Sequence, residues 1–189
     1  LNPYPIADAM NGTVQGVATT TAIIPVRKAL GLLIANPKPG SSSTPSKFKT
    51  YRGPEVTYVV VNKTARRMML LHNDKVLEEY KIKLGFAPVG HKIQEGDGRT
   101  PEGRYIIDRR NPNSKFHLSI GISYPNERDV MVAEALGKKP GGDIFIHGQK
   151  SPHQKDVGDW TWGCIAVDNE EIEDVYAMVG DGTPIVITR

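Results

Sequence analysis

From Val56 to Leu84 the chain alternates short β-branched or aromatic runs with two-residue turn signals, and this rhythm commits the segment to strands. Val56-Thr57-Tyr58-Val59-Val60-Val61 reads as a strand and Asn62-Lys63 as a turn. Arg67 to Leu71 returns, Asn73-Asp74 turns again, and Val76 to Leu84 alternates as a third strand, completing a β-meander. Further strands are predicted at 104–108, 116–120, 143–147 and 184–188. Between them, Gly85 to Gly103 is a long loop with five glycines and two prolines, a length usually kept for functional or mobile segments. Two helices are predicted. One runs from Asn126 to Leu136 and stops at Gly137; the other starts at Asp168 and stops at Gly180. In the second, Glu171 is a capping-box partner for Asp168, and Ile172, Val175, Tyr176 and Val179 form one apolar stripe for packing on a sheet. The fold class expected is β-rich, mixed α+β: a sandwich or barrel with peripheral helices.

Charge separates the chain into two parts. Residues 1–50 carry five Lys/Arg against the single acid Asp8, whereas 51–189 hold 19 basic and 20 acidic residues. The basic excess is therefore in the leading segment, which argues against a nucleic-acid-binding face on the folded part. Pro37 to Pro45 has linker composition, so 1–50 is expected to be a flexible tail and 51–189 the folded domain. Within the tail, Arg27-Lys28 followed by Ala29 to Ala35 resembles the basic and apolar parts of an export signal; a short helix lying on the domain or in solvent reads equally well. No apolar run approaches the roughly 18 residues of a membrane span.

Cys164 is the only cysteine, which excludes an intrachain disulfide framework. A lone cysteine can be a small buried hydrophobe. Its surroundings, Trp160-Thr161-Trp162-Gly163-Cys164-Ile165-Ala166-Val167, suggest more: the preceding glycine admits a substrate carbonyl, and the helix start nearby places Cys164 at a loop-to-helix junction with N–H groups free for an oxyanion. A thiol with a pKa near 8.5 needs a base or a positive neighbour to act at neutral pH. Among His72, His91, His117, His147 and His153, the choice is His147, which ends the apolar run Ile144-Phe145-Ile146 and precedes Gly148, 17 positions before the cysteine. Pairing with His147 is expected to lower the thiol pKa.

Ile144-Phe145-Ile146-His147-Gly148 followed by Thr161-Trp162-Gly163-Cys164 resembles the signature of the L,D-transpeptidase catalytic-domain family of bacterial cell-wall enzymes. Gly96 to Tyr105 and Phe116 to Pro125 resemble the family as well, so the likeness covers about 56–189. The resemblance implies a β-rich fold, a Cys164 nucleophile, a His147 base oriented by the Gly148 carbonyl, and an oxyanion hole of N–H groups around Gly163 and Cys164. It implies attack on the amide between the third and fourth residues of a peptidoglycan stem peptide, loss of D-alanine, and resolution of a thioester by an acceptor amine. With water instead, the same site is an L,D-carboxypeptidase or a hydrolase of crosslinks or anchored proteins. A non-catalytic wall-binding module is the remaining alternative. Location in the periplasm or cell envelope follows from the substrate, no cofactor is implied, and a monomer is expected.

Two positions depart from the family pattern: Trp162 stands where His is usual, and Ala166 where Asn or Arg is frequent. Trp160 and Trp162 are candidates for an aromatic lid or stem-peptide platform, with Thr161 between them; packing of the loop is the other use of the two rings. Arg109 is a candidate for binding a stem-peptide carboxylate. His147 and His153 lack a third ligand at convincing spacing, so no metal is expected. Asp97, Arg99 and Glu102 are expected to tie down the long loop.

Overall fold

The structure, a computed structural model, describes residues 46–151 and 158–189. Within them the chain is mostly β, with eight strands and two helices. The strands are β1 Tyr58–Asn62, β2 Arg67–His72, β3 Lys75–Lys81, β4 Gly103–Asn111, β5 Ser119–Ile122, β6 Phe145–His147, β7 Ile165–Ala166 and β8 Pro184–Thr188. The helices are α1 Glu127–Ala135 and α2 Asn169–Met178. The sheet order is β3-β2-β1-β8-β4-β5-β6-β7.

The predicted meander supplies one edge. Alternation places Val59 and Val61 of β1 on the buried face, where they register with Leu70 and Met68 of β2. The last strand, β8, returns parallel to β1, with Ile185 and Ile187 opposite Val59 and Val61. This pairing closes the domain: the chain's final strand joins its first one to β4, and β4 carries the sheet on to β5, β6 and β7.

On α2, Ile172 and Val175 are fully buried, and burying each such side chain stabilises the fold by about 1.5–3 kcal/mol. Val179, just beyond the helix, is also buried, while Tyr176 is only partly covered. The capping partner behaves as predicted, with the Asp168 N–H donating to Glu171 Oε2 at 3.0 Å.

Three features differ from the sequence expectation. The third strand ends at Lys81, because the chain then leaves β2 and forms bridges from Lys83 to Ala166 and from Gly85 to Thr161. The strand expected from Phe116 starts at Ser119, since His117 takes a left-handed conformation (φ 73°) that no strand admits. Finally, the two-residue β7 lies between Cys164 and α2 where no strand was predicted.

The long loop is tied down where expected. Asp97 accepts N–H bonds from Ile93, Gln94 and Arg99 and pairs with Lys92, while Glu102 pairs with the buried Lys63. At the leading edge, Lys49 pairs with Asp174 at 2.8 Å and Phe48 lies against Tyr176 of α2, so residues assigned to the tail touch the domain. Among the described residues no helix is long and apolar enough to cross a membrane.

Candidate active site

Cys164 sits at the start of β7, which runs parallel to β6 with Ile146 opposite Ile165 and His147 opposite Ala166. Carried back one residue, the register sets Phe145 opposite Cys164, and the Phe145 N–H does point at the thiol, 3.4 Å from Sγ. Side chains alternate between faces along a strand, so Cys164, Phe145 and His147 share one face. Two residues along and one strand across separate the Cα atoms of Cys164 and His147 by about 8 Å, a diagonal that long side chains span. The expected loop-to-helix junction is corrected: β7 intervenes, so backbone geometry at the cysteine is set by the sheet and not by the first turn of α2.

The His147 ring is buried and held on several sides. Its Nδ1 lies 2.7 Å from the Gly148 carbonyl oxygen, which can only accept, so Nδ1 carries the hydrogen and Nε2 keeps its lone pair. Phe116 stacks on the imidazole at 4.5 Å, and Trp160 tilts against both rings. Gly148 is required by crowding: a Cβ there would meet Asn169 Oδ1 at 2.5 Å and the Phe116 carbonyl oxygen at 2.9 Å.

Desolvation disfavours charge on both members of the pair. Burial lowers the His147 pKa, against an opposing contribution from the Gly148 carbonyl. Burial likewise raises that of Cys164; the Phe145 N–H, Lys92 and Arg109 oppose this, and Asp143 adds to it. The expectation of a lowered thiol pKa is therefore overturned, because desolvation outweighs every favourable neighbour. The thiol lies 3.4 Å from the Asp143 carbonyl oxygen, which can accept its hydrogen.

The loop before the cysteine is built around Thr161. Its buried hydroxyl donates to the Cys164 carbonyl at 2.7 Å and accepts the Gly163 N–H at 3.2 Å. That hydroxyl and that N–H are thus committed within the loop, whereas the Cys164 N–H donates to none of the described residues. Gly163 has φ +123°, and a Cβ there would lie 2.5 Å from the Arg99 carbonyl oxygen of the long loop. The two tryptophans part company: Trp162 is 70% exposed with its ring edge-on to the exposed Phe86, while the Trp160 Nε1–H is buried without a partner among the described residues.

A sequence model of the L,D-transpeptidase catalytic domain matches residues 56–187. The chain belongs to that family. YafK of Escherichia coli strain K12, which carries a provisional L,D-transpeptidase name, is 28% identical over 165 residues, covering 83% of this chain and 60% of the relative. YqjB of Bacillus subtilis, provisionally named likewise, is 26% identical over 136 residues, covering 69% of this chain and 70% of its own. The helical cell shape determining protein Pgp2 of Campylobacter jejuni superposes with TM-score 0.55 at 28% identity, over 74% of this chain and 49% of that one. Bd1075 of Bdellovibrio bacteriovorus shares the fold, with TM-score 0.51 at 23% identity and coverage of 71% and 48%. This L,D-transpeptidase domain thus spans about 60% of YafK and about half of Pgp2.

Several contributors to the site were not anticipated from sequence. Phe116 carried a signal, since it opens one of the family-like stretches, but its stacking on His147 depends on the turn at His117. Asp143 and Phe145 carried none, because their roles are played by a carbonyl and an N–H. Among the described residues no three His, Cys, Asp or Glu are grouped to hold a metal ion; His153 lies outside the described residues.

Proposed function

We propose that this domain is a cysteine acyltransferase that cleaves peptidoglycan stem peptides on the carboxyl side of their third residue through a Cys164 thioester. The observation that carries the reading is the shared face of Cys164 and His147, with Nδ1 tied to the Gly148 carbonyl and Nε2 left basic. Because thiol and imidazole rest neutral, Nε2 takes the thiol proton as Sγ attacks the amide carbon. The Cys164 N–H is the donor available for the oxyanion. Collapse breaks the C–N bond, the imidazolium proton goes to the departing D-alanine amine, and the acyl group stays on sulfur. An acceptor amine then attacks the thioester and returns the enzyme to its starting state. Trp162 and Phe86 form an exposed aromatic ledge beside the nucleophile suited to the stem peptide.

The substrate assigns the domain to the periplasm or cell envelope, with residues 1–50 acting as a tether or targeting segment. A carbapenem, which mimics the acyl donor, should add its mass to the intact protein, and Cys164→Ala should abolish the adduct; an adduct on the alanine variant would overturn the nucleophile. With a tetrapeptide-stem muropeptide, a crosslinked dimer lacking one D-alanine supports transfer. Tripeptide alone at every acceptor concentration makes the domain a carboxypeptidase, and cleavage of a preformed crosslink or attached protein makes it a releasing hydrolase.

A further inference from the structure

Four strands of the site half are aligned so that Arg109, Gly121, Phe145 and Cys164 form one transverse row: Arg109 is opposite Gly121, and Gly121 is opposite Phe145. Arg109 reaches this face through an irregularity. The β4–β5 register shifts between Ile107 and Arg109, inserting Asp108 as a bulge. Without it, Arg109 would lie on the same face as the buried Ile107; with it, Arg110 takes the inner face and bonds the Tyr176 and Val179 carbonyls of the α2 segment. Gly121 then gives the arginine a path. A Cβ at 121 would lie 2.4 Å from Arg109 Cγ, so only glycine lets the side chain lie flat across β5. The guanidinium ends 4.5 Å above the Phe145 ring, one strand from Cys164.

The cation retains capacity for a ligand. Nη1 is engaged by both Asp108 carboxylate oxygens at 2.9 Å, while Nη2 faces Asp143 Oδ1 at 3.6 Å. The Asp143 side chain is 94% exposed, so that second pairing is loose and exchangeable. A guanidinium with an open edge, stacked on an aromatic ring beside a nucleophile, is a receptor for a planar carboxylate. An acyl carbon in attack position is about 3–3.5 Å from Sγ. The carboxylate of the residue beyond a cleaved amide lies three bonds further on, within about 4 Å of that carbon. The neighbouring strand is about 4.8 Å away.

Resting on the proposed function, we infer that Arg109 is a specificity-determining residue that reads the free C-terminal carboxylate of the leaving amino acid. The acyl donors are then stems ending one residue past the cleaved bond, in preference to stems whose carboxyl end is capped or continued. Asp143 is a built-in competitor that the substrate carboxylate displaces.

The test compares two synthetic stem peptides that differ only in a C-terminal acid or amide, with release of the last residue measured as kcat/KM by mass spectrometry. The wild-type protein should prefer the acid by tenfold or more. In Arg109→Gln that ratio should fall toward one, and Arg109→Lys should keep part of it. Asp143→Asn, which removes the competing carboxylate, should raise it. A merely structural Arg109 would slow acid and amide alike and leave the ratio unchanged, which would overturn the inference. Carbapenem acylation of Cys164 with no acid preference overturns the inference alone, whereas failure of Cys164 to acylate at all overturns the proposed function and this inference together.

Discussion

Replacing Gly163 with alanine tests whether backbone shape, as much as side-chain chemistry, constrains the site. At φ +123° an L side chain is strained, at a cost of order 1–3 kcal/mol. The added Cβ would also stand 2.5 Å from the Arg99 carbonyl oxygen and 3.2 Å from Ile144 Cδ1. Ordinary contact begins near 3.4 Å, so relief demands a displacement approaching 1 Å. The Arg99 side cannot readily yield, because Asp97 holds the Arg99 N–H at 3.0 Å and Lys63 holds the Thr100 carbonyl at 2.9 Å. The cysteine side must therefore move, and a misplacement of about 1 Å at a reacting group costs on the order of 10²-fold in rate, or about 2.7 kcal/mol. Gly163→Ala should melt about 6 °C lower, for about 2 kcal/mol lost in a domain of this size. It should also acylate with a carbapenem about 10²-fold more slowly, followed by intact mass against time. Wild-type melting together with wild-type acylation would refute the argument that the Arg99–Gly163 contact shapes the site.

The resting charge state makes a pH prediction: thiol alkylation should show its inflection above the ordinary cysteine value of about 8.5, and an inflection below it would refute the neutral pair. In stability terms, Cys164, with its pKa raised by folding, contributes below the unfolded value and loses that contribution as pH rises through the folded one. His147, with its pKa lowered, contributes above about 6.5 and loses it as pH falls through the folded value. Melting temperature should therefore fall at both ends, and Cys164→Ala should flatten the alkaline limb; an unchanged limb would contradict it. Elsewhere, Lys63→Met leaves Glu102 and the Gly90 and Thr100 carbonyls without their shared partner, so urea unfolding should show a loss of about 3 kcal/mol, with less than 1 counting against a structural tie.

How far the sequence was legible depended on how local the determining interaction is. The β1–β2–β3 meander and α2 could be read because their signals, paired turn residues and a capping Glu171, act within a few positions. His147 could be placed at a strand end for the same reason. What failed was non-local. Lys83 and Leu84 continue the alternation of β3, yet this stretch pairs with a segment about 80 positions away, around Thr161 and Ala166, which no local pattern discloses. The two residues of β7 are too few for periodicity, and without that strand Cys164 was set at a helix. The direction of the thiol pKa was not legible because it depends on desolvation at Cys164, beside Phe145 and Asp143, and sequence spacing carries no measure of that.

The half-buried thiol, its pKa raised, also bears on how a cysteine could persist as a nucleophile under the proposed mechanism. Oxidants and disulfides react with the thiolate, so a raised pKa slows those side reactions at neutral pH. A permanently charged thiolate–imidazolium pair would be more reactive toward every electrophile, substrate or not. In that mechanism the proton starts on sulfur, near the Asp143 carbonyl, and Nε2 of His147 is its acceptor, with Nδ1 tied to the Gly148 carbonyl. Transfer becomes favourable only when a carbonyl carbon receives the electron pair and the Cys164 N–H receives the oxyanion, so activation is coupled to substrate occupancy. The Phe116 and Trp160 rings around His147 maintain the dry surroundings on which that coupling depends.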